Sequence, residues 1–121
     1  MKKILLIEDE KNIASSLKIY LSSKGFEVIL ADDGPGGIKM AKEQVPDLIL
    51  LDLILPKIDG YTVCKTLKEE KVTKEIPIVV ISARTSQKDM NKCFTTGADD
   101  YIAKPFKTDQ IIDLISKYLK K

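Results

Sequence analysis

Leu48-Ile49-Leu50-Leu51-Asp52 is an apolar run closed by a carboxylate, and the chain carries other short runs like it. A strand with one wet face alternates apolar and polar residues, so a run without alternation belongs to a strand covered on both faces. The companion runs span residues 4–7, 26–31, 78–81 and 101–103. Between them the apolar residues recur with helical period. Ile13, Leu17 and Leu21 mark one helix, Ile38, Ala41 and Val45 a second, and Val63, Cys64 and Leu67 a third. Met90, Cys93 and Phe94 mark a fourth helix, and Ile111, Ile115 and Tyr118 the last. Gly25, Gly97 and the steps Pro46-Asp47 and Ile76-Pro77 fall where helices have to stop, because glycine accepts a left-handed cap and proline cannot continue a helix. This alternation predicts an α/β fold of roughly five βα units with right-handed crossovers: a doubly wound parallel sheet with helices on both faces.

At 121 residues, 44% hydrophobic and 31% charged, the chain has the size and balance of one domain over residues 1–121. Twenty Lys and Arg against 18 Asp and Glu give a net charge of +2, and the lysines are scattered, which argues against a nucleic-acid surface. The opening Met1-Lys2-Lys3-Ile4-Leu5-Leu6-Ile7 has the outline of a signal peptide, but its apolar part is short and stops at Glu8, Asp9 and Glu10. No apolar stretch approaches the roughly 20 residues that span a bilayer. Two cysteines, Cys64 and Cys93, are too few for a disulfide scaffold and are expected as free thiols in the core, in a reducing cytoplasm. The absence of histidine excludes His acid–base catalysis and His metal ligation.

In an open α/β sheet, ligands bind beyond the carboxyl ends of the strands, so the residue after each run matters most. The first run ends in Glu8-Asp9, the third in Asp52, the fourth in Ser82 and the fifth in Lys104. Each has an ordinary structural alternative: Asp9 as a helix cap, Ser82 as a cap or turn residue, Lys104 as a solvated lysine. Their joint occurrence at one edge favours a site. Carboxylates gathered there repel one another by roughly 4 kcal/mol for a pair 4 Å apart at an effective dielectric near 20. Lys104 compensates one charge, and the remainder calls for a divalent ion. An all-oxygen donor set suits Mg²⁺ or Mn²⁺ and disfavours zinc. With lysine and metal beside it, a carboxylate is a competent nucleophile toward phosphorus, and Asp52, after the central run, is the best candidate. Lys104 and Mg²⁺ are expected to neutralise the oxygens of the transferred group, while the Ser82 hydroxyl hydrogen-bonds it. The phosphoryl group has to come from another protein or from a small acyl phosphate.

Over nearly its whole length the chain resembles the receiver domains of two-component response regulators. The resemblance rests on Ile4-Leu5-Leu6-Ile7-Glu8-Asp9-Glu10, on Leu50-Leu51-Asp52-Leu53 with Leu55-Pro56-Lys57-Ile58-Asp59-Gly60, on Ile81-Ser82-Ala83, and on Gly97-Ala98-Asp99-Asp100-Tyr101-Ile102 with Lys104-Pro105-Phe106. It implies a flavodoxin-like strand order 2-1-3-4-5. It also implies Mg²⁺ held directly by Asp9, Asp52 and the Ile54 backbone carbonyl, with Glu8 acting through water. A cis Lys104–Pro105 peptide bond belongs to the same pattern, as do Ser82 and Tyr101 as switch residues, Tyr101 turning inward. The side chains of Ile54 and Arg84 occupy positions that in the family modulate water access to an aspartyl phosphate. The implied donor is a histidine kinase or histidine phosphotransfer protein, and the output is a downstream protein or a covalently linked output domain.

The last helix carries Ile111, Ile112, Leu114, Ile115, Tyr118 and Leu119, more apolar positions than one core-facing stripe needs. With Met90, Phe94 and Tyr101 they suggest a partner or homodimer face on the last two helices and last strand; a broad core contact is the alternative. Where transcription-factor receivers usually carry arginines on this helix, the chain has Lys117, Lys120 and Lys121. Three rival functions fit less well. A haloacid-dehalogenase-type hydrolase needs an acid two residues after its nucleophile, where Lys11 and Ile54 stand. A flavodoxin-like nucleotide binder needs a small-residue phosphate loop where Glu8-Asp9-Glu10 would repel phosphate. A pseudo-receiver that binds partners without phosphorylation would have no need of the full set of acceptor-site groups.

Overall fold

The computed structural model describes residues 1–119; Lys120 and Lys121 of the sequence reading lie outside the described residues. Strands and helices alternate throughout: β1 (Lys3–Ile7), α1 (Lys11–Ser23), β2 (Glu27–Ala31), α2 (Gly34–Gln44), β3 (Leu48–Asp52), α3 (Gly60–Glu69), β4 (Ile78–Ser82), α4 (Gln87–Thr95), β5 (Asp100–Ala103) and α5 (Thr108–Leu119). The strands form one parallel sheet in the order β2-β1-β3-β4-β5. β3 and β4 are buried at every residue, as their unbroken apolar sequence requires.

Period-two alternation sends each strand's side chains to two separate cores. Ile4, Leu6, Leu48, Leu50, Val79 and Ile81 pack against Leu17 and Leu21 of α1 and Ile111 and Ile115 of α5. Leu5, Ile7, Ile49, Leu51, Ile78 and Val80 pack against Ala41 of α2, Val63, Cys64 and Leu67 of α3, and Cys93 of α4. Both thiols are free and buried, and burial pushes each of them up from the ordinary cysteine range. On α5, Ile112, Leu114, Tyr118 and Leu119 are partly buried against the first core, and the Tyr118 hydroxyl donates to the Asp99 carbonyl at 2.9 Å. The apolar surplus of the last helix is therefore mainly a broad core contact.

Gly25 and Gly97 take positive φ of 93° and 111° after α1 and α4, as helix stops should. Two boundaries differ from the sequence reading. Val45 is not on the apolar face of α2; it is the C-cap, left-handed at φ 43° and half exposed, because Pro46 forbids another helical turn. α3 ends at Glu69, well before Ile76-Pro77. A hydrogen-bonded turn follows, in which buried Thr73 donates its hydroxyl to the Leu67 carbonyl at 2.6 Å and satisfies the helix end.

The loop from β3 to α3 folds back on the strand end: the Gly60 amide donates to the Leu53 carbonyl at 2.8 Å. A Cβ at position 60 would lie 2.5 Å from both the Asp52 carbonyl oxygen and the Leu53 Cα, which are backbone atoms that cannot rotate away. Gly60→Ala is therefore expected to cost about 1–3 kcal/mol through backbone displacement, read as a lower urea midpoint at unchanged slope. A midpoint equal to that of the parent would show that the loop absorbs the methyl group freely.

Candidate functional site

The carboxyl ends of β1, β3, β4 and β5 converge because the strands are parallel and in register: Ile7 pairs with Leu51 and Asp52 with Ile81, while Ser82 pairs with Ala103. Glu8 and Asp52 are buried at 3% and 4% exposure, whereas Asp9 is exposed. One oxygen from each of Glu8, Asp9 and Asp52 falls in a group spanning no more than 4.8 Å. Lys104 reaches the same point from β5. Its ammonium donates to Glu8 Oε1 at 2.9 Å and to Asp52 Oδ2 at 3.1 Å, and stands 4.0 Å from Glu10 Oε1. The Lys104–Pro105 peptide bond is cis. The Lys104 amide donates to the Ser82 carbonyl at 2.8 Å, which ties the lysine's backbone to the end of β4.

Electrostatics follow from this packing. Burial is the main force that pushes Glu8 up to about 7; the neighbouring Asp52 adds to it, and Lys104 offsets part of it. For Lys104 burial works against the charge, but the hydrogen bonds to Glu8 and Asp52 outweigh it and hold the ammonium above its ordinary range. Lys104 remains a cation at neutral pH. Two buried acids and an exposed third share that single lysine, so the cluster keeps an excess of negative charge that a hard divalent cation would neutralise. Oxygen donors within a few ångströms, with no sulfur or imidazole among them, fit such an ion.

Asp52 Oδ1 accepts from the Ile54 amide at 3.2 Å, and the Ile54 side chain is half exposed. Ser82 is fully buried at the end of β4, and its hydroxyl accepts from the Arg84 amide at 3.0 Å, so the turn role weighed for it is real. Asp9 is not a helix cap. The N-cap of α1 is Glu10, whose side chain makes no capping hydrogen bond. Tyr101 lies inward, packed against the α2–α3–α4 core with its hydroxyl buried and unpartnered among the described residues. Burial raises that phenol, and the nearby Ser82 hydroxyl offsets part of the rise. Sequence reasoning missed the contact of Glu10, whose amide donates to Glu8 Oε2 at 3.2 Å, and that of Tyr61 on α3, whose hydroxyl donates to Asp89 Oδ1 on α4 at 3.0 Å. The Tyr61 contact has no local signal, since its partner lies 28 positions away, whereas Glu10 stands two residues from Glu8 in the acidic run itself. The cleft holding Asp9, Asp52, Ile54 and Lys104 is small, about 150 Å³. A larger cavity of about 580 Å³ lies beside it between α1 and α2.

A family model described as the response regulator receiver domain matches residues 4–116. The chain belongs to this family. The receiver is 38% identical over 121 residues to the DNA-binding dual master transcriptional regulator RpaA of Synechocystis sp., covering all of this chain and 50% of that protein. It is also 38% identical over 120 residues to the alkaline phosphatase synthesis transcriptional regulatory protein PhoP of Bacillus subtilis, covering 99% and 49%. The chain thus spans about half the length of these curated relatives. Among solved structures, the receiver domain of the sensor histidine kinase PA1611 from Pseudomonas aeruginosa, with magnesium coordinated in its active site cleft, superposes with a TM-score of 0.92 at 31% identity, covering 99% and 98%. A two-component response regulator from Clostridium difficile gives 0.93 at 30% identity, covering 100% and 98%. Membership makes the chain a receiver of two-component signalling, a regulatory fold. Among the described residues no helix is long and apolar enough to cross a membrane.

Proposed function

We propose that this receiver is a cytoplasmic phosphorylation switch that takes a phosphoryl group on Asp52 from a histidine kinase or histidine phosphotransfer protein. The observation that carries the reading is one ammonium, that of Lys104, bridging the Glu8 and Asp52 carboxylates at 2.9 and 3.1 Å with Asp9 beside them. An Asp52 carboxylate oxygen forms the new bond to phosphorus; the bond to the donor breaks, and the donor leaves with that electron pair and takes up a proton. Lys104 neutralises charge gathering on the phosphoryl oxygens, and the Ser82 hydroxyl serves as their hydrogen-bond donor once it leaves the Arg84 amide. Asp9 and Asp52, with the Ile54 carbonyl and with Glu8 through water, would hold Mg²⁺ (Mn²⁺ as an alternative), which supplies charge neutralisation at phosphorus. Ile54, which lines the cleft with Asp52, and Arg84, which lines the neighbouring cavity with Ile54, govern water access to the product. Ser82 and Tyr101 then carry the change to α4, β5 and α5. That face acts on a downstream protein or a covalently linked output domain, or pairs with a second copy. The half-exposed Phe94 belongs to this surface.

The test is intact mass after incubation with acetyl phosphate and Mg²⁺: a phosphate-sized gain is expected, abolished by a chelator. No gain would leave the reading of a receiver that binds partners without phosphorylation. Titration with Mg²⁺ gives a further check. Asp9→Ala is expected to weaken binding about 10–100-fold, and an affinity equal to the parent's would remove Asp9 from the ligand set.

A further inference from the structure

α4 is attached to the rest of the receiver by little apolar packing: of residues Gln87–Thr95 only Cys93 is buried. It follows directly on the short loop after Ser82, so its position and that of the Ser82 hydroxyl are linked through a few residues of backbone. What fastens its first turn is polar. Tyr61, on the first turn of α3 and only 6% exposed, donates its hydroxyl to Asp89 Oδ1 at 3.0 Å. The other oxygen of Asp89 accepts from the Ser86 hydroxyl at 2.7 Å, while Ser86 caps the helix by accepting from the Asp89 amide at 3.1 Å. The Lys92 ammonium lies 4.3 Å from the centre of the Tyr61 ring. Ser86 first and Tyr61 second hold the Asp89 carboxyl below its ordinary range, so the acceptor is ionised at neutral pH. Burial, reinforced by Asp89, pushes the Tyr61 phenol up to about 12, so the donor keeps its proton. Tyr61, Lys92, Arg84 and Ile54 also line one cavity of about 230 Å³, which places this junction next to the loops that flank Asp52.

We propose that Tyr61 is a positioning residue whose hydrogen bond to Asp89 latches α4 onto α3 and sets how readily α4 and the Ser82 loop shift when Asp52 is phosphorylated. The proposal rests on the reading of Asp52 given above. Besides this bond, α3 meets α4 through Cys64, whose thiol donates to the Thr96 carbonyl at 3.6 Å, and through Cys93 in the shared core, both near the far end of α4. A hydrogen bond to a charged acceptor at the first turn is a natural restraint there, because its loss frees that end without emptying a core. Tyr61→Phe deletes only the hydroxyl and leaves the buried ring and the Lys92 contact in place.

The test compares Tyr61→Phe with the parent in two measurements. In unphosphorylated protein, amide hydrogen exchange of residues 87–95 is expected to quicken about tenfold, with β1, β3 and α3 unchanged. With acetyl phosphate and Mg²⁺, phosphate uptake followed by intact mass is expected to quicken several-fold, because a state with α4 displaced is reached more often. Unchanged exchange in α4 overturns the proposal, as does quickening shared equally by β1 and β3. Faster exchange with an unaltered uptake rate also overturns it, reducing the contact to local scaffolding. The exchange measurement uses no phosphate, so failure of the parent to take up phosphate would strike the reading of Asp52 and leave the latch measurement legible.

Discussion

Asp52→Asn should take up no phosphate from acetyl phosphate and Mg²⁺ under conditions where the parent gains one phosphate-sized increment, because an amide oxygen is not a nucleophile of comparable strength. The substitution preserves volume, so the variant is expected to fold. It should also change the site's response to pH. Glu8 is pushed up to about 7 first by burial and then by its contacts with Asp52; removing the Asp52 charge takes away that second cause and moves Glu8 back toward the ordinary carboxylate range. A folded-state pKa raised from 4.5 to about 7 means that the native state favours the protonated acid. That stabilisation is complete below pH 4.5 and is lost as pH rises through about 7. The metal-free parent should therefore lose stability between those values, and Asp52→Asn should lose less of it. Urea midpoints across that window report the difference. An equal phosphate gain in the variant would move the acceptor to another residue.

Lys104→Met is expected to give the largest loss of stability. The side chains of Glu8 and Asp52 are 1% and 5% exposed and share this one ammonium, so its removal strands two buried acids. Breaking a buried pair from one side costs about 3–5 kcal/mol. The loss should depend on pH with a definite sign. Lys104 lowers Glu8, so without it Glu8 rises further. At pH 5 Glu8 is protonated in both proteins and the penalty is smaller; at pH 8 the parent ionises it beside Lys104, whereas the variant has either to keep the proton or to ionise against burial without a cation, and the penalty is largest. Saturating Mg²⁺ should narrow the gap at pH 8 by replacing the missing positive charge. A loss of equal size at both pH values would mean that Lys104 contributes packing and no charge compensation.

The residues that read most clearly in the sequence are those whose local pattern has one physical solution. Leu48-Ile49-Leu50-Leu51 has to be covered on both faces, and β3 is buried at every position. Asp52, Ser82 and Lys104 end or directly follow their runs, and parallel strands put such residues on one edge. The misreadings arise where local pattern and chain reversal compete. Val45 sits at a helical spacing from Ile38 and Ala41, yet Pro46 turns it into a left-handed cap. Ile76-Pro77 signals a stop, but α3 has already ended at Glu69, where the Thr73 hydroxyl takes a carbonyl of its last turn.

Taken alone, the amino-acid order determined the element types, the parallel sheet and the edge where the acids collect, because periodicity and strand direction are properties of short segments. Only the tertiary structure decided the distances on which the chemistry turns. Lys104 meets Glu8 across 96 positions and Asp52 across 52, and Tyr61 meets Asp89 across 28. The burial that pushes Glu8 up to about 7 is likewise a product of the whole assembled sheet and its helices. Charge and hydrogen-bond energies depend on separation and on excluded water, and neither exists until the strands are side by side.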